Sequence, residues 1–396
     1  MKVNYGQNVY DQKEINAVVK TLKKGTQMGS AVREFEKKLS KIFQKKHTLL
    51  VNSGSSALLL AFQCLDFKKN SNFITPVLTF GTTVASMIQA NFIPNFIDVD
   101  KRTLCIDEKQ IEKQINKNTV GFCIPNLIGN LPNWLIIKKI AKKYKLIIIE
   151  DSADTLGAKY NKSSTGKYSD ISITSFYGSH IISCAGNGGA ISLNDKKLYE
   201  KCKLLRSWGR SSSLFRDSEK IENRFNIKLD NIDYDKKFVF ELPGYNFEPS
   251  EIGAAFGLIQ MNKLKKNFSI REINFNKHLN FIKKFPNYFL QPKIYKQTNT
   301  AWLAFPLIIK ENKFFKRKDL MIFLEKNGIQ TRVIFTGNIL RQPGFKKIKC
   351  IKVKKYENAD YLMKNGVLIG CHHGLNNVKI NYIQNKIKVF IKKLKI

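Results

Sequence analysis

Between Lys46 and Gly189 short apolar runs alternate with helix-length segments, and this alternation limits the possible fold more than any other feature of the chain. His47 to Val51, Asn72 to Thr75, Ile93 to Ile97, Val120 to Ile124 and Leu146 to Glu150 have the length of strands. Ala57 to Leu65, Thr83 to Ala90 and Leu135 to Tyr144 have the length and pattern of helices. A repeated β/α order predicts an α/β fold with a mainly parallel sheet between helices. Ligands of such sheets sit beyond the carboxyl ends of the strands, so residues just after each apolar run are the first candidates for chemistry.

After Gly189 the pattern changes. Lys196 to Arg206 reads as a helix, and the polar segment Gly209 to Gly244 is too long for a simple connection, which predicts a functional loop or insertion. A helix over Glu251 to Leu264 and a lysine-rich one to about Phe285 follow. Thr300 to Ile396 reads as a smaller α+β unit, with strands near Ala304 to Ile309 and Thr331 to Phe335. The expected division is a large domain over 1–265 and a small C-terminal domain over 266–396, with residues 1–30 free to pack on the small one.

The 396 residues carry 68 Lys+Arg against 31 Asp+Glu, a formal net charge of +37. Such a charge invites a nucleic-acid reading, but only ten of the basic residues are Arg, the side chain suited to bidentate readout of bases and phosphates. The lysines are spread from Lys2 to Lys395, so we expect no nucleic-acid partner. A positive surface still favours an anionic small substrate. No apolar run approaches the roughly 18 residues of a membrane span, and no signal peptide is recognisable, so a soluble, cytoplasmic protein with no membrane partner is expected. Seven cysteines, at 64, 105, 123, 184, 202, 350 and 371, form no Cys-x-x-Cys pair and read as reduced thiols.

Three segments carry the residues for chemistry. Val51 to Ala57 ends a strand with Asn-Ser-Gly-Ser-Ser and opens a helix, where free amides and small side chains suit a phosphate, or else form a plain helix cap. Leu146 to Glu150 leads into Asp151-Ser152-Ala153-Asp154; a carboxylate there can keep a pyridine nitrogen protonated, or merely cap a helix. Ser172 to Gly189 contains Ser175-Phe176-Tyr177-Gly178-Ser179-His180 and then Gly186-Asn187-Gly188-Gly189.

Together these segments resemble the DegT/StrS family of sugar aminotransferases, fold-type I enzymes that use pyridoxal phosphate (PLP). The family shows, in the same order, a Ser-Gly-Thr/Ser turn, an aromatic that stacks on the coenzyme, a Glu-Asp strand end, and Ser-Phe-x-x-x-Lys before Gly-x-Gly-Gly. Here these are Ser53 to Ser55, Phe80, Glu150-Asp151, Ser175-Phe176 and Gly186 to Gly189. The resemblance implies that Gly54, Ser55 and Ser175 hold the coenzyme phosphate, Phe80 stacks on its ring, Asp151 faces its ring nitrogen and Asp154 lies near its hydroxyl. Asn246 would reach the phosphate of a neighbouring subunit, which implies a homodimer. Arg210, Arg332, Asn338 and Arg341 are candidates for a nucleotide-sugar substrate, with solvated ion pairs as the alternative reading.

One departure decides the expected chemistry. His180 stands where the family carries its Schiff-base lysine, and no lysine occurs between Lys167 and Lys196. An imidazole cannot hold the coenzyme covalently, yet its ordinary pKa of roughly 6.5 suits it to move protons. The coenzyme is therefore expected noncovalently, as pyridoxamine phosphate (PMP). The histidine resembles that of the family's 3-dehydratase branch, which acts on GDP- or CDP-linked 4-keto-6-deoxyhexoses for surface polysaccharide. The resemblance implies 3-dehydration followed by hydrolysis, with an amino donor such as glutamate recharging the coenzyme. Trp208-Gly209-Arg210 and Thr331 to Pro343 extend the likeness to that branch. Its CDP-sugar members carry an iron–sulfur cluster on cysteines that include a Cys-x-Cys pair after Trp-Gly-Arg; here Ser211-Ser212-Ser213 follows, with no cysteine from Lys203 to Gly244, and no cluster is expected. Asn187 and Gly178-Ser179 also depart from the family pattern. A transaminase and a non-catalytic binding protein remain the competing readings. His372-His373 is not expected to hold a metal, since adjacent imidazoles do not readily share one ion.

Overall fold

The computed structural model of the chain describes residues 1–215 and 217–394. Its central sheet has seven strands in the order His47–Val51, Gly189–Leu193, Ile171–Ser175, Ile147–Asp151, Thr119–Pro125, Asn72–Pro76, Ile93–Ile97. From Ile171–Ser175 to Ile93–Ile97 every pairing is parallel, as the β/α alternation predicts. Gly189–Leu193 runs antiparallel to both its neighbours. The connection through residues 176–188 contains no helix to carry a crossover, so the chain returns beside the strand it has just left.

Side chains alternate across a sheet, and the buried strands feed two layers accordingly. Phe73, Cys123 and Ile149 join the core that includes helix Gly54–Gln63, whereas Ile74, Phe122, Ile124 and Ile148 join the one that includes helix Trp134–Tyr144. The same alternation separates two adjacent carboxylates. Glu150 turns inward and accepts from the hydroxyls of Ser152, Ser169 and Ser172 at 2.6, 3.1 and 2.7 Å. Asp151 turns the other way, to the end of the sheet.

A second, antiparallel sheet of four strands follows the order Phe289–Leu290, Phe305–Ile309, Gly366–Ile369, Thr331–Val333. Helices Arg317–Lys326 and Asn377–Lys393 close its core with Leu320, Leu324, Ile380, Ile383 and Ile387. The last of these strands stops short of the expected Phe335, which takes a left-handed φ of 41°. Between the two sheets runs one 32-residue helix, Glu251–Ile282, about 48 Å long. It replaces the two helices expected here, because no Gly or Pro interrupts residues 258–282. Residue 265 lies inside it: Ala254 and Met261 pack beside Phe35 and Phe176, Phe275 and Ile282 in the core of the four-stranded sheet.

The N-terminal residues pack against that sheet's edge, where the Val3 amide donates to the Gly328 carbonyl at 2.8 Å. The described residues of the segment from 209 to 244 are folded rather than a bare loop. They hold the hairpin Ile227–Leu229 and Ile232–Tyr234, whose two turn residues Asp230 and Asn231 both have positive φ. Among the described residues no helix is long and apolar enough to cross a membrane.

Candidate active site

A cavity of about 380 Å³ opens where the parallel strands end. Its wall includes Ser53, Gly54, Ser55, Phe80, Asp151, Asp154, Ser175 and His180, drawn from four separate chain segments. Ser53 caps helix Gly54–Gln63, its hydroxyl accepting from the Ser56 amide at 3.1 Å. The amides of Gly54 and Ser55 stand at the open start of that helix, the place that favours an anion. Gly54 is required for close approach: a Cβ there would stand 2.7 Å from the Ser175 Cβ. Gly189 serves the same turn, since its Cβ would meet the Ser53 carbonyl carbon at 2.3 Å.

Asp151 receives the Thr83 hydroxyl at 2.9 Å and the Ala153 amide at 3.1 Å. Burial nonetheless raises its pKa above the usual carboxylate range. Asp154 accepts the Ile128 amide at 2.7 Å, and burial pushes its pKa up to about 7. A cationic ligand atom beside this pair would relieve the cost of two ionised carboxyls in one enclosed place. Phe80 is 56% exposed, and so is not the core aromatic its composition allows; its ring meets Phe335 edge-on at 5.8 Å.

His180 sits in a turn in which its amide donates to the Tyr177 carbonyl at 2.9 Å. Its Nδ1 is 3.2 Å from the Ser175 carbonyl. A carbonyl only accepts, so Nδ1 carries the proton of the neutral ring and Nε2 keeps the lone pair. The sequence suggests an imidazole in its ordinary range. In the fold, burial first and the Arg271 charge second lower its pKa to about 4, so the ring is neutral near pH 7.

A wider cavity of about 760 Å³ adjoins the first and shares Tyr5, Phe80, Tyr177, Ser179 and Phe335 with it. Arg332 lines this outer space, its guanidinium 5.5 Å above the Tyr5 ring. Tyr5 was missed in the sequence because nothing near the N-terminus marks it; its amide donates to the side-chain oxygen of Gln330, which brings it in. Thr83 and Tyr177 did carry a signal, lying three residues after Phe80 and three before His180.

The other candidates line neither cavity. Asn246 is exposed and its carbonyl accepts from Asn52, next to the Ser53 turn. Arg210 lies over the Trp208 ring at 4.2 Å. Asn338 and Arg341 both bind the carboxylate of Asp360, at 2.9 and 2.6 Å. His372 and His373 are engaged elsewhere, with the Asn4 carbonyl and the Arg271 guanidinium. Among the described residues no three His, Cys, Asp or Glu side chains converge as a metal ion needs.

The pattern that defines the DegT/DnrJ/EryC1/StrS aminotransferase family matches residues 8–388. The chain belongs to this family. It is 32% identical to the lipopolysaccharide biosynthesis protein RfbH of Salmonella typhimurium over 367 residues, 90% of this chain and 84% of the other. Identity to the GDP-4-keto-6-deoxy-D-mannose 3-dehydratase of Escherichia coli O55:H7 is 30% over 397 residues, 98% of this chain and 100% of the other. The solved E. coli GDP-4-keto-6-deoxy-D-mannose-3-dehydratase with bound hydrated PLP matches the fold with a TM-score of 0.87 at 29% identity, covering 98% of this chain and 100% of that one. Members of the family are thus similar to this chain over nearly its whole length, through both sheets and the helix between them.

Proposed function

We propose that this protein is a PMP-dependent 3-dehydratase of a nucleotide-linked 4-keto-6-deoxyhexose, acting in deoxysugar and surface-polysaccharide biosynthesis. The observation that carries the reading is a histidine, held as a neutral base, at the position where the family's lysine would stand in an otherwise intact coenzyme cavity. Gly54, Ser55 and Ser175 would hold the coenzyme phosphate, Asp151 its ring nitrogen, Asp154 its ring hydroxyl and Phe80 the face of its ring. The fit is chemical as well as spatial: a helix start for an anion, a buried carboxylate for a ring cation, an exposed aromatic for a flat ring. When bound, PMP supplies an amine that condenses with a ketone and a ring that takes up electrons, which permits loss of a hydroxyl from the carbon next to the former ketone.

His180 contributes by moving a proton at Nε2, the nitrogen that the Ser175 carbonyl leaves free. Because an imidazole has no primary amine and cannot form an imine, His180 would leave the coenzyme noncovalent and exchangeable, and an amino donor such as glutamate would supply its amine. Arg332 on the outer wall would meet the anionic nucleotide sugar. Asn246, exposed beside Asn52 and outside its own cavity, supports a homodimer in which it reaches the partner's coenzyme; sedimentation with and without PMP reads that assembly.

Incubation with PMP, glutamate and a 4-keto-6-deoxy sugar nucleotide is expected to yield a 3-deoxy sugar, identified by mass and NMR. An amino sugar would identify a transaminase instead, and coenzyme trapped covalently by borohydride would defeat the reading of His180. His180→Asn is expected to keep coenzyme binding and to lower dehydration roughly 10³-fold, the scale of a lost general base.

A further inference from the structure

We propose that Arg271 is a positioning residue for catalysis: from the helix Glu251–Ile282 its guanidinium pins the backbone of His180 and of Leu303, two residues on the wall of the coenzyme cavity, and so sets where the His180 imidazole stands. This rests on the reading of His180 as the base. Arg271 is wholly buried. Its Nη2 donates to the His180 carbonyl at 3.0 Å, and its Nη1 to the carbonyls of Trp302 and Leu303 at 2.9 and 3.2 Å. Its Nε donates to Nδ1 of His373 at 3.1 Å. His180 is thus held at both ends, the ring by Ser175 and the carbonyl by Arg271.

Two features separate this arrangement from a packing contact. The guanidinium forms no ion pair among the described residues, although burial lowers its pKa only to about 10 and it remains a cation near pH 7. An unpaired buried charge is a costly way to tie carbonyls together, so its charge has an effect that a neutral side chain of similar size would not reproduce. His180, His372 and His373 all lie within reach of that charge, and it helps to keep each of them unprotonated. The second feature is geometry. Three nitrogens of one planar group address two cavity segments and the His373 ring at once, which the single ammonium of a lysine cannot do.

The test uses the full chain, with and without PMP, as wild type, Arg271→Lys and Arg271→Gln. Turnover is measured with the nucleotide sugar, and His180 is followed by NMR in histidine-labelled protein, where five histidines give few resonances and His180→Asn assigns the one of interest. The groups facing His180 are the Tyr177 ring, the Ser175 carbonyl, the Tyr5 hydroxyl and the carboxyls of Asp151 and Asp154 in the same cavity, and Arg271. None but Arg271 changes between variants.

Arg271→Lys keeps the charge and loses the fork: kcat is expected to fall about 10-fold, with coenzyme affinity and KM near wild type and His180 still neutral at pH 5.5. Arg271→Gln loses both: kcat is expected to fall about 100-fold, the scale of a small misplacement of a catalytic group. In that variant the His180 resonances move because the carbonyl anchor is lost, and the acid limb of the kcat profile shifts slightly to higher pH, burial remaining the larger cause of the lowered pKa. Wild-type kcat in Arg271→Gln would overturn the proposal. So would lost activity with an unmoved His180 resonance and acid limb, or failure of both variants to fold, each of which makes Arg271 purely structural. Retained turnover in His180→Asn would overturn the base reading instead; the His180 resonance in Arg271→Gln is read without turnover and tests Arg271 by itself.

Discussion

The inner wall of the cavity and its outer rim are built from different kinds of structure. The inner wall stands on rigid elements: Ser53 to Ser55 lie just past a strand, Asp151 and Ser175 each end one, and Phe80 precedes a helix. The rim is gathered from distant stretches, with Tyr5 from the N-terminus, and Arg332, Phe335 and Gln342 to Phe345 from around the small sheet. A wall fixed by the sheet suits a coenzyme that must sit in one place. A rim on separate segments can differ between relatives while the wall stays the same, which fits substrate choice.

The sharpest break of that contrast comes from Gly54→Val. The Cβ alone would lie 2.7 Å from the Ser175 Cβ, and the added methyls have no room on a wall that cannot shift. Coenzyme affinity is expected to fall about 10- to 100-fold, the range of overpacking costs, measured by absorbance titration with PMP. Unchanged affinity in a folded variant would mean that the turn does not hold the phosphate.

Arg332→Ala tests the rim and should act on the other ligand. The side chain is exposed in the outer cavity and engages its own neighbour's carbonyl, that of Thr331, and the Tyr5 ring. Loss of a charged donor to an anionic substrate is expected to raise the nucleotide-sugar KM roughly 10-fold while PMP affinity stays within about 2-fold. An equal loss of both affinities would erase the distinction between wall and rim.

The same contrast explains what the sequence could disclose. Strand-end residues are legible because an apolar run fixes where a strand stops, and the next residue is then placed by topology; Asp151 and the Ser53 turn follow from that rule. Phe80, one of 28 phenylalanines, fits a core as well as a cavity by residue type alone, and its exposure separates the two. Tyr5 depended on a long-range pairing between residue 3 and residues 328–330 that no local pattern encodes. Nothing in the sequence marks Arg271, because burial of a lone guanidinium is invisible until three carbonyls are seen around it. The division of helix Glu251–Ile282 into two failed for a plainer reason: a run of lysines changes composition without breaking a helix.

Arg341 is the case in which an arginine near a rim residue is not part of the rim. Its Nε and Nη2 reach the two oxygens of Asp360, each at 2.6 Å, and the side chain is 59% exposed. The hydrogen bonds of that guanidinium hold the Asp360 carboxyl below its usual range, with Asn338 adding to the effect. A carboxyl with a lowered pKa contributes stability above its unfolded value of 3.8, and this is lost as pH falls through the folded value. Arg341→Ala is therefore expected to leave kcat and KM within about 2-fold of wild type and to lower stability at pH 7 by no more than about 1 kcal/mol, as exposed pairs do. The difference in melting between variant and wild type should shrink as pH falls below 3.8 and Asp360 protonates in both. A clear rise in nucleotide-sugar KM would instead bring Arg341 back to the substrate and extend the rim by a residue that the resting ion pair hides.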